Sequence, residues 1–323
     1  MICGVSGQDG AYLTSLLLSK GYQVIGTSRD ATVSRFDGLR TLGLLNDVQP
    51  VSMALNDFRS VLHAVKRHQP DEIYNLAGQS SVGLSFEQPV ETMDSIAGGT
   101  LNLLEAIRFA DRPIRLYNAG SSECFGDTGD EPATEVTPFQ PRSPYAVAKS
   151  TAHWLVRNYR EAYGLHACTG ILFNHESPLR AERFVTQKIV RTAARIARGR
   201  ARELRLGNLE VERDWGWAPD YVDAMWRMLN AAKADDFVIA TGRTVSLDYF
   251  ARRVFDWFNL SWEEFVVADE TLLRPTDIRS GQANPQKAHD LLGWRHTMDV
   301  DGVIVALCKA AEQSTMFDSA IEK

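Results

Sequence analysis

The sequence predicts an α/β protein built as a doubly wound parallel sheet, and three observations carry that prediction. Glycines recur at Gly4, Gly7 and Gly10 between a short apolar start and a helical run. Strand-like and helical segments then alternate as far as about residue 173. Small or hydroxyl residues follow the fourth and fifth strand-like runs, at Asn75-Leu76-Ala77-Gly78 and Ala119-Gly120-Ser121-Ser122-Glu123. Open parallel sheets bind ligands at the carboxyl ends of their strands.

Taken in order, Met1 to Cys3 leave room for only a short first strand, against the roughly five residues that are usual. Leu13, Leu16 and Leu17 share a helix face that runs to Gly21, and a strand from Gln23 to Thr27 follows. Strand, glycine turn, helix, strand is the unit in which backbone N–H groups and a helix N-terminus receive a pyrophosphate. Gly4, Gly7, Gln8, Asp9 and Gly10 are therefore candidate dinucleotide contacts. After the second strand an acidic residue binds the ribose hydroxyls of NAD, whereas an arginine accommodates the phosphate of NADP. Here Ser28-Arg29-Asp30 is followed by Arg35 and Arg40. Arg29 favours NADP over NAD, Asp30 pulls the other way, and solvated loop charges would look the same.

A strand near Pro50 to Leu55, a helix from Phe58 to Arg67 and a strand from Glu72 to Leu76 continue the alternation. A long helical stretch from Pro89 to Ala110 leads to a strand from Arg115 to Asn118. Pro144 then opens a helix on which Tyr145 and Lys149, four apart, share one face up to about Gly164. A phenol ionises near ~10, so use as a base at neutral pH needs a shift of roughly three units, about 4 kcal/mol. A nearby ammonium in a partly dry site is expected to supply much of it. Such a pair also arises by chance on many helices. A strand from His166 to Phe173 precedes Asn174-His175-Glu176-Ser177-Pro178.

Between Arg191 and Arg205 arginines interleave with alanines along an amphipathic stripe, which reads as a solvated helix face. Leu206-Gly207-Asn208 and Arg213-Asp214-Trp215-Gly216 read as loops. A helix from Tyr221 and a strand from Phe237 to Ala240 follow, and the remainder reads as mostly helical, with Arg274-Pro275-Thr276-Asp277 in a loop between helices.

The 323 residues suffice for about two domains, and a net charge of −6 argues against a nucleic-acid or anionic-membrane binder. No apolar run reaches membrane-span length, and the start turns polar too soon for a signal peptide. Cys3, Cys124, Cys168 and Cys308 are scattered without metal-ligand spacing. They read as buried or incidental thiols in a reducing cytoplasm, with no metal.

Six strings in order, GVSGQDG from Gly4, DEIYNLAGQS from Asp71, RSPYAVAK from Arg142, ILFNHESP from Ile171, RDWG from Arg213 and RPTD from Arg274, span nearly the whole chain. With them the sequence resembles the extended short-chain dehydrogenase/reductase superfamily, and within it the GDP-mannose 4,6-dehydratase family. The Asn174 string matters most, because related GDP-sugar reductases tend to lack its Glu-Ser pair. The resemblance implies a Rossmann-type fold with a smaller, mostly C-terminal α/β substrate-binding domain. Residues 1–173 plus about 217–241 would hold NADP; about 174–216 and 242–323 would hold GDP-mannose or a closely related GDP-sugar.

The resemblance also implies roles. Tyr145 would take the 4-hydroxyl proton, Lys149 would hold it ionised, Ser121 would bond the 4-hydroxyl, and Glu123 would remove the carbon-5 proton so that water leaves. Hydride would pass from carbon 4 to the cofactor and back to carbon 6. Leu55, Leu76, Ala77 and His175 join the cofactor contacts. Ser85, Asn174, Glu176, Arg180, Thr186, Lys188, Gly207, Asn208, Arg213, Arg274 and Asp277 would face the substrate. Members form tetramers partly through the loop after the second strand, which differs here from Ala31 to Leu44, so the resemblance implies a homodimer or a homotetramer. The chain departs from the family at Ser121, usually Thr, at Ala54, where an Asp commonly meets the adenine, and at Asp30, usually a second Arg. Rival readings are a dehydratase for another GDP-hexose or heptose, a 4-keto-sugar reductase, or a non-catalytic NADP-binding regulator.

Overall fold

Seven of the apolar runs assemble into one parallel sheet in the computed structural model, which describes residues 1–313. In chain order the strands are β1 (Ile2–Cys3), β2 (Val24–Ser28), β3 (Val48–Ser52), β4 (Glu72–Asn75), β5 (Arg115–Ala119), β6 (Ala167–Leu172), β7 (Asn174–Glu176), β8 (Leu204–Leu206), β9 (Glu212–Trp217), β10 (Phe237–Ile239), β11 (Thr244–Ser246) and β12 (Val266–Ala268). The main sheet runs β10-β6-β5-β4-β1-β2-β3. Strand order therefore reverses beside β1, which pairs with β2 on one side and β4 on the other. That crevice is where doubly wound sheets take ligands.

β1 is only two residues long, yet it is an interior strand of the sheet. Its bonding continues past both ends, with Tyr74 N–H donating to the Met1 carbonyl at 2.9 Å and Gly4 N–H to the Thr27 carbonyl at 3.2 Å. Full burial of Ile2 and Cys3 matches strands covered on both faces. One face carries the helices Gln8–Ser19 and Ala218–Leu229, whose Leu13, Leu17, Met225 and Met228 share a core. Helices Phe58–His68, Gly99–Arg108 and Pro144–Tyr163 contribute Val61, Leu103, Val156 and Tyr159 to a second.

Helix Pro144–Tyr163 is specified at both ends. The Ser143 hydroxyl accepts the Ala146 N–H at 3.1 Å, Pro144 occupies the first turn, and Gly164 closes the helix in the left-handed region. Near its C-terminus Arg160 donates to both Asp236 oxygens, at 2.9 and 2.6 Å, and to the Ala167 carbonyl, while Asp236 also accepts the Thr169 N–H. With side chains only 16% and 9% exposed, loss of either partner would leave a buried charge costing about 3–5 kcal/mol. The pair ties the helix to β6 and β10.

A separate core, built on Trp215, Phe250, Phe255, Ile189 and Ile304, underlies helices Val185–Ala197, Leu247–Trp257 and Val300–Gln313. Here the structure corrects several expectations. Arg213 to Gly216 is not a loop but the centre of β9, which pairs with β7 and β11. Asp and Gly masked it: Asp214 is buried as an acceptor for Thr241 and Gly242, and a Cβ at Gly216 would lie 2.4 Å from the Tyr221 ring. The arginine-rich helix ends at Ala197, and the chain continues as β8. The C-terminal part also contains β11 and β12, so it is less helical than expected. The stretch from Pro89 is helical without a gap to Arg108, with a π-helical turn at Asp94–Gly98 inside it, and an unforeseen helix, Val82–Glu87, precedes it, capped by Ser81.

Among the described residues no helix is long and apolar enough to cross a membrane. The four cysteines are buried and unpaired, and burial pushes the Cys124 thiol up to about 11.

Candidate active site

Two of the three opening glycines are demanded by the protein itself. Gly4 adopts φ +81°, and a Cβ there would sit 2.9 Å from the Ala77 Cα; one at Gly10 would sit 2.6 Å from the Gly4 carbonyl. Gly7 is different, since its Cβ would meet nothing closer than 3.5 Å. What Gly7 leaves clear is a cavity. It is also the N-cap of helix Gln8–Ser19 and supplies no side-chain cap. The positive end of that helix therefore opens on a space of about 620 Å³ at the carboxyl ends of β1 to β4. Gly4, Gly7, Gln8, Asp9, Gly10, Arg29, Leu55, Leu76 and Ala77 all line it.

The wall also includes residues that sequence reasoning did not single out for this role. Ser28 lines it with a buried hydroxyl that has no partner. Asn56 lines it where Ala54 does not, and Gln79, Ser80 and Glu91 complete it. Asp30 is not among the lining residues; its carboxylate accepts the Thr32 N–H at 2.8 Å. A glycine cradle, an uncapped helix start and an unpartnered hydroxyl are the donors that an anionic, polyhydroxylated dinucleotide needs.

A second cavity of about 400 Å³ adjoins the first, and Asp9, Leu76, Ser80, Arg180 and Arg183 line both. Ser121 and Glu123 reach it from the end of β5, Tyr145 and Lys149 from the first turns of helix Pro144–Tyr163. Burial pushes the Tyr145 phenol above its ordinary value, against a hydrogen bond from Ser121 that lowers it. The Lys149 ammonium donates to the Ala119 carbonyl at 2.7 Å and stands 5.8 Å from the Tyr145 ring centre. Burial lowers it to about 8, which leaves it charged at neutral pH.

Burial likewise raises the Glu123 carboxyl, opposed by the Arg213 and Arg274 guanidinium groups. Both arginines face Asp277, at 3.3 and 3.5 Å. Asn174, His175, Glu176, Arg180, Thr186, Lys188, Gly207, Asn208, Arg213, Arg274 and Asp277 all line this second cavity. Ser85 is the exception among the expected substrate residues. It is fully buried in helix Val82–Glu87, its hydroxyl donates to the Val82 carbonyl at 2.6 Å, and it is not among the lining residues.

The Asn174 string joins the two cavities. Ser177 donates to the Gln8 side-chain carbonyl at 2.7 Å, and the Gln8 amide donates to the His175 carbonyl at 3.2 Å. Glu176 is buried and accepts the Thr186 hydroxyl at 2.7 Å, with Arg180 at 3.7 Å lying over the Phe184 ring. Its neighbour Ser177 thus fastens the first helix of the sheet domain to β7, a role no motif advertises.

His175 has an acceptor at each ring nitrogen, the Phe173 carbonyl at 2.8 Å and Asp9 at 3.0 Å. Two acceptors suit the doubly protonated ring. Burial pushes the imidazole down, but the Asp9 carboxylate outweighs it and raises the pKa, while Asp9 itself falls to about 2. A raised folded pKa means that the stability from charged His175 is complete below the ordinary value of about 6.5 and is lost as pH rises through the higher folded value. In Asp9→Asn only burial remains strong, so the His175 titration followed by NMR is expected to fall from above to below about 6.5. An unmoved titration would mean that Asp9 does not hold the charge.

A family model described as GDP-mannose 4,6 dehydratase matches residues 1–306. GDP-mannose 4,6 dehydratase 2 of Arabidopsis thaliana is 47% identical over 307 residues, covering 91% of this chain and 82% of the relative. The GDP-mannose 4,6-dehydratase of Sinorhizobium fredii is 44% identical, with 93% and 92% covered. In fold the chain is similar to Thermus thermophilus UDP-glucose 4-epimerase, solved with NAD, at a TM-score of 0.84 and 23% identity, over 97% of this chain and 98% of that one.

Proposed function

This chain belongs to the GDP-mannose 4,6-dehydratase family, and from that premise we propose that it converts GDP-D-mannose to GDP-4-keto-6-deoxy-D-mannose. The observation that carries the proposal is the presence of Glu123 in the same cavity as Ser121, Tyr145 and Lys149. Oxidation at carbon 4 alone needs a hydroxyl, a phenol and an amine. Elimination needs a further base for carbon 5.

The larger cavity would hold NADP, with its pyrophosphate at Gly7 to Gly10 and Arg29 near the ribose, on the unit formed by residues 1–173 and 217–241. When bound, the nicotinamide supplies a reversible hydride acceptor that is restored within each turnover. Ser121 orients the 4-hydroxyl, Lys149 stabilises the Tyr145 phenolate once it turns from Ala119, and that phenolate accepts the 4-hydroxyl proton and becomes the neutral phenol. The ketone then acidifies carbon 5. Glu123 takes that proton as a carboxylate and passes it to the departing 6-hydroxyl, which leaves as water. Arg213, Lys188 and Arg274 would bind the diphosphate and Gly207-Asn208 would face the guanine, on residues 174–216 and 242–323. Of these, 314–323 lie outside the described residues.

A homodimer or homotetramer is part of this reading, and the exposed Val147 and Trp154 on helix Pro144–Tyr163 are apolar surface that an interface would cover. A cytoplasmic location is part of the same reading.

Incubation with GDP-mannose and a catalytic amount of NADP is expected to yield a product lighter by one water, with no net change in the cofactor. Unchanged GDP-mannose, together with reduction of a 4-keto sugar by stoichiometric NADPH, would assign the chain to a reductase instead.

A further inference from the structure

We propose that Glu91 sets dinucleotide selectivity in this chain, by competing with a ribose 2′-phosphate for Arg29. The inference rests on reading the larger cavity as the dinucleotide site. Arg29 and Glu91 both line that cavity, and a guanidinium nitrogen of Arg29 lies 2.9 Å from the Glu91 carboxylate. Glu91 is delivered by the short helix Pro89–Met93, 62 residues further along the chain, so the contact is not a local turn.

The side chains are 76% and 44% exposed, and an ion pair so open contributes little stability. Arg29 is therefore free to leave Glu91 for a better anion, but Glu91 remains beside it. A phosphomonoester carries a charge of about −1.5 to −2 at neutral pH. Bound to Arg29, it would stand within a few ångströms of a fixed carboxylate, and that repulsion is only partly screened. The ribose hydroxyls of NAD carry no charge, and they can donate to Glu91 or pair with the unpartnered Ser28 hydroxyl.

Asp30 does not take this part. Its carboxylate is committed to the Thr32 N–H and hydroxyl at 2.8 and 2.6 Å. Arg35 faces Asp37 at 3.4 Å, so it offers the phosphate no uncontested cation. Arg180 and Arg183, the other arginines on the cavity wall, also line the second cavity.

Direct titration of the purified protein with NADP and with NAD, read calorimetrically, tests this without turnover. Glu91→Gln is expected to raise the ratio of NADP to NAD affinity about tenfold at low salt, with the gain shrinking as ionic strength increases. Arg29→Ala is expected to lower the ratio. An unchanged ratio in Glu91→Gln would overturn the proposal, and a lowered one would make Glu91 a support for Arg29 rather than a competitor. If the wild-type protein binds neither dinucleotide, the reading of the cavity fails and this proposal with it.

Discussion

Tyr145→Phe is expected to cut turnover of GDP-mannose about a thousandfold, at the middle of the range for a lost acid–base group and equivalent to about 4 kcal/mol in the barrier. The fold should be untouched. Tyr145 belongs to an apolar cluster with Ile96, Ala148 and Ala152, and phenylalanine keeps the ring that fills it. Burial raises the phenol and holds it protonated, so removing its hydroxyl takes away no charge. Binding of the dinucleotide and of GDP, along with thermal stability, should stay near wild type. Turnover within tenfold of wild type would show that another group accepts the 4-hydroxyl proton. The raised phenol also says where catalysis must find help. Lys149 is charged but turned to Ala119, so it must be released before it can stabilise a phenolate.

The parts of the fold that were legible in the sequence are those where local chemistry decides. Pro144 and Gly164 bracket the Tyr145 helix by capping rules alone. The glycines at 4 and 10 follow from close backbone approach. Tertiary demands were not legible. β9 carries Asp214 and Gly216, residues that read as a loop until Thr241, Gly242 and the Tyr221 ring are seen to require them. The π-turn at Asp94–Gly98 keeps a helical composition, so periodicity could not separate it from its flanking helices. Within the site the resemblance named residue types in the right order, and all but Ser85 line one of two joined cavities. It could not reveal Ser28, Asn56 or Glu91, because their importance lies in what stands opposite them across the cavity. The Ser177–Gln8 bond is a further case, linking residues 169 positions apart.

Glu123→Gln separates the two halves of the chemistry. Glutamine matches glutamate in shape, so the pocket beside Arg213 and Arg274 should keep its form, but an amide cannot accept a proton from carbon 5. Product formation is expected to fall about a thousandfold while reversible oxidation at carbon 4 survives. In heavy water, then, the variant should scramble no deuterium into carbon 5, although a trace of reduced nicotinamide should still appear on mixing with GDP-mannose. Product at the wild-type rate would remove Glu123 from the reaction. The pH profile gives a second reading of the same group. Burial raises the Glu123 carboxyl, with the two arginines opposing, and the base is its ionised form. Wild-type elimination should therefore fail on acidification at a pH above the ordinary carboxylate range. Burial that merely destabilised a spectator carboxylate would leave no such limb in the rate. The same burial that makes Glu123 costly to ionise makes its carboxylate a stronger base, and the nearby arginines offset part of that cost.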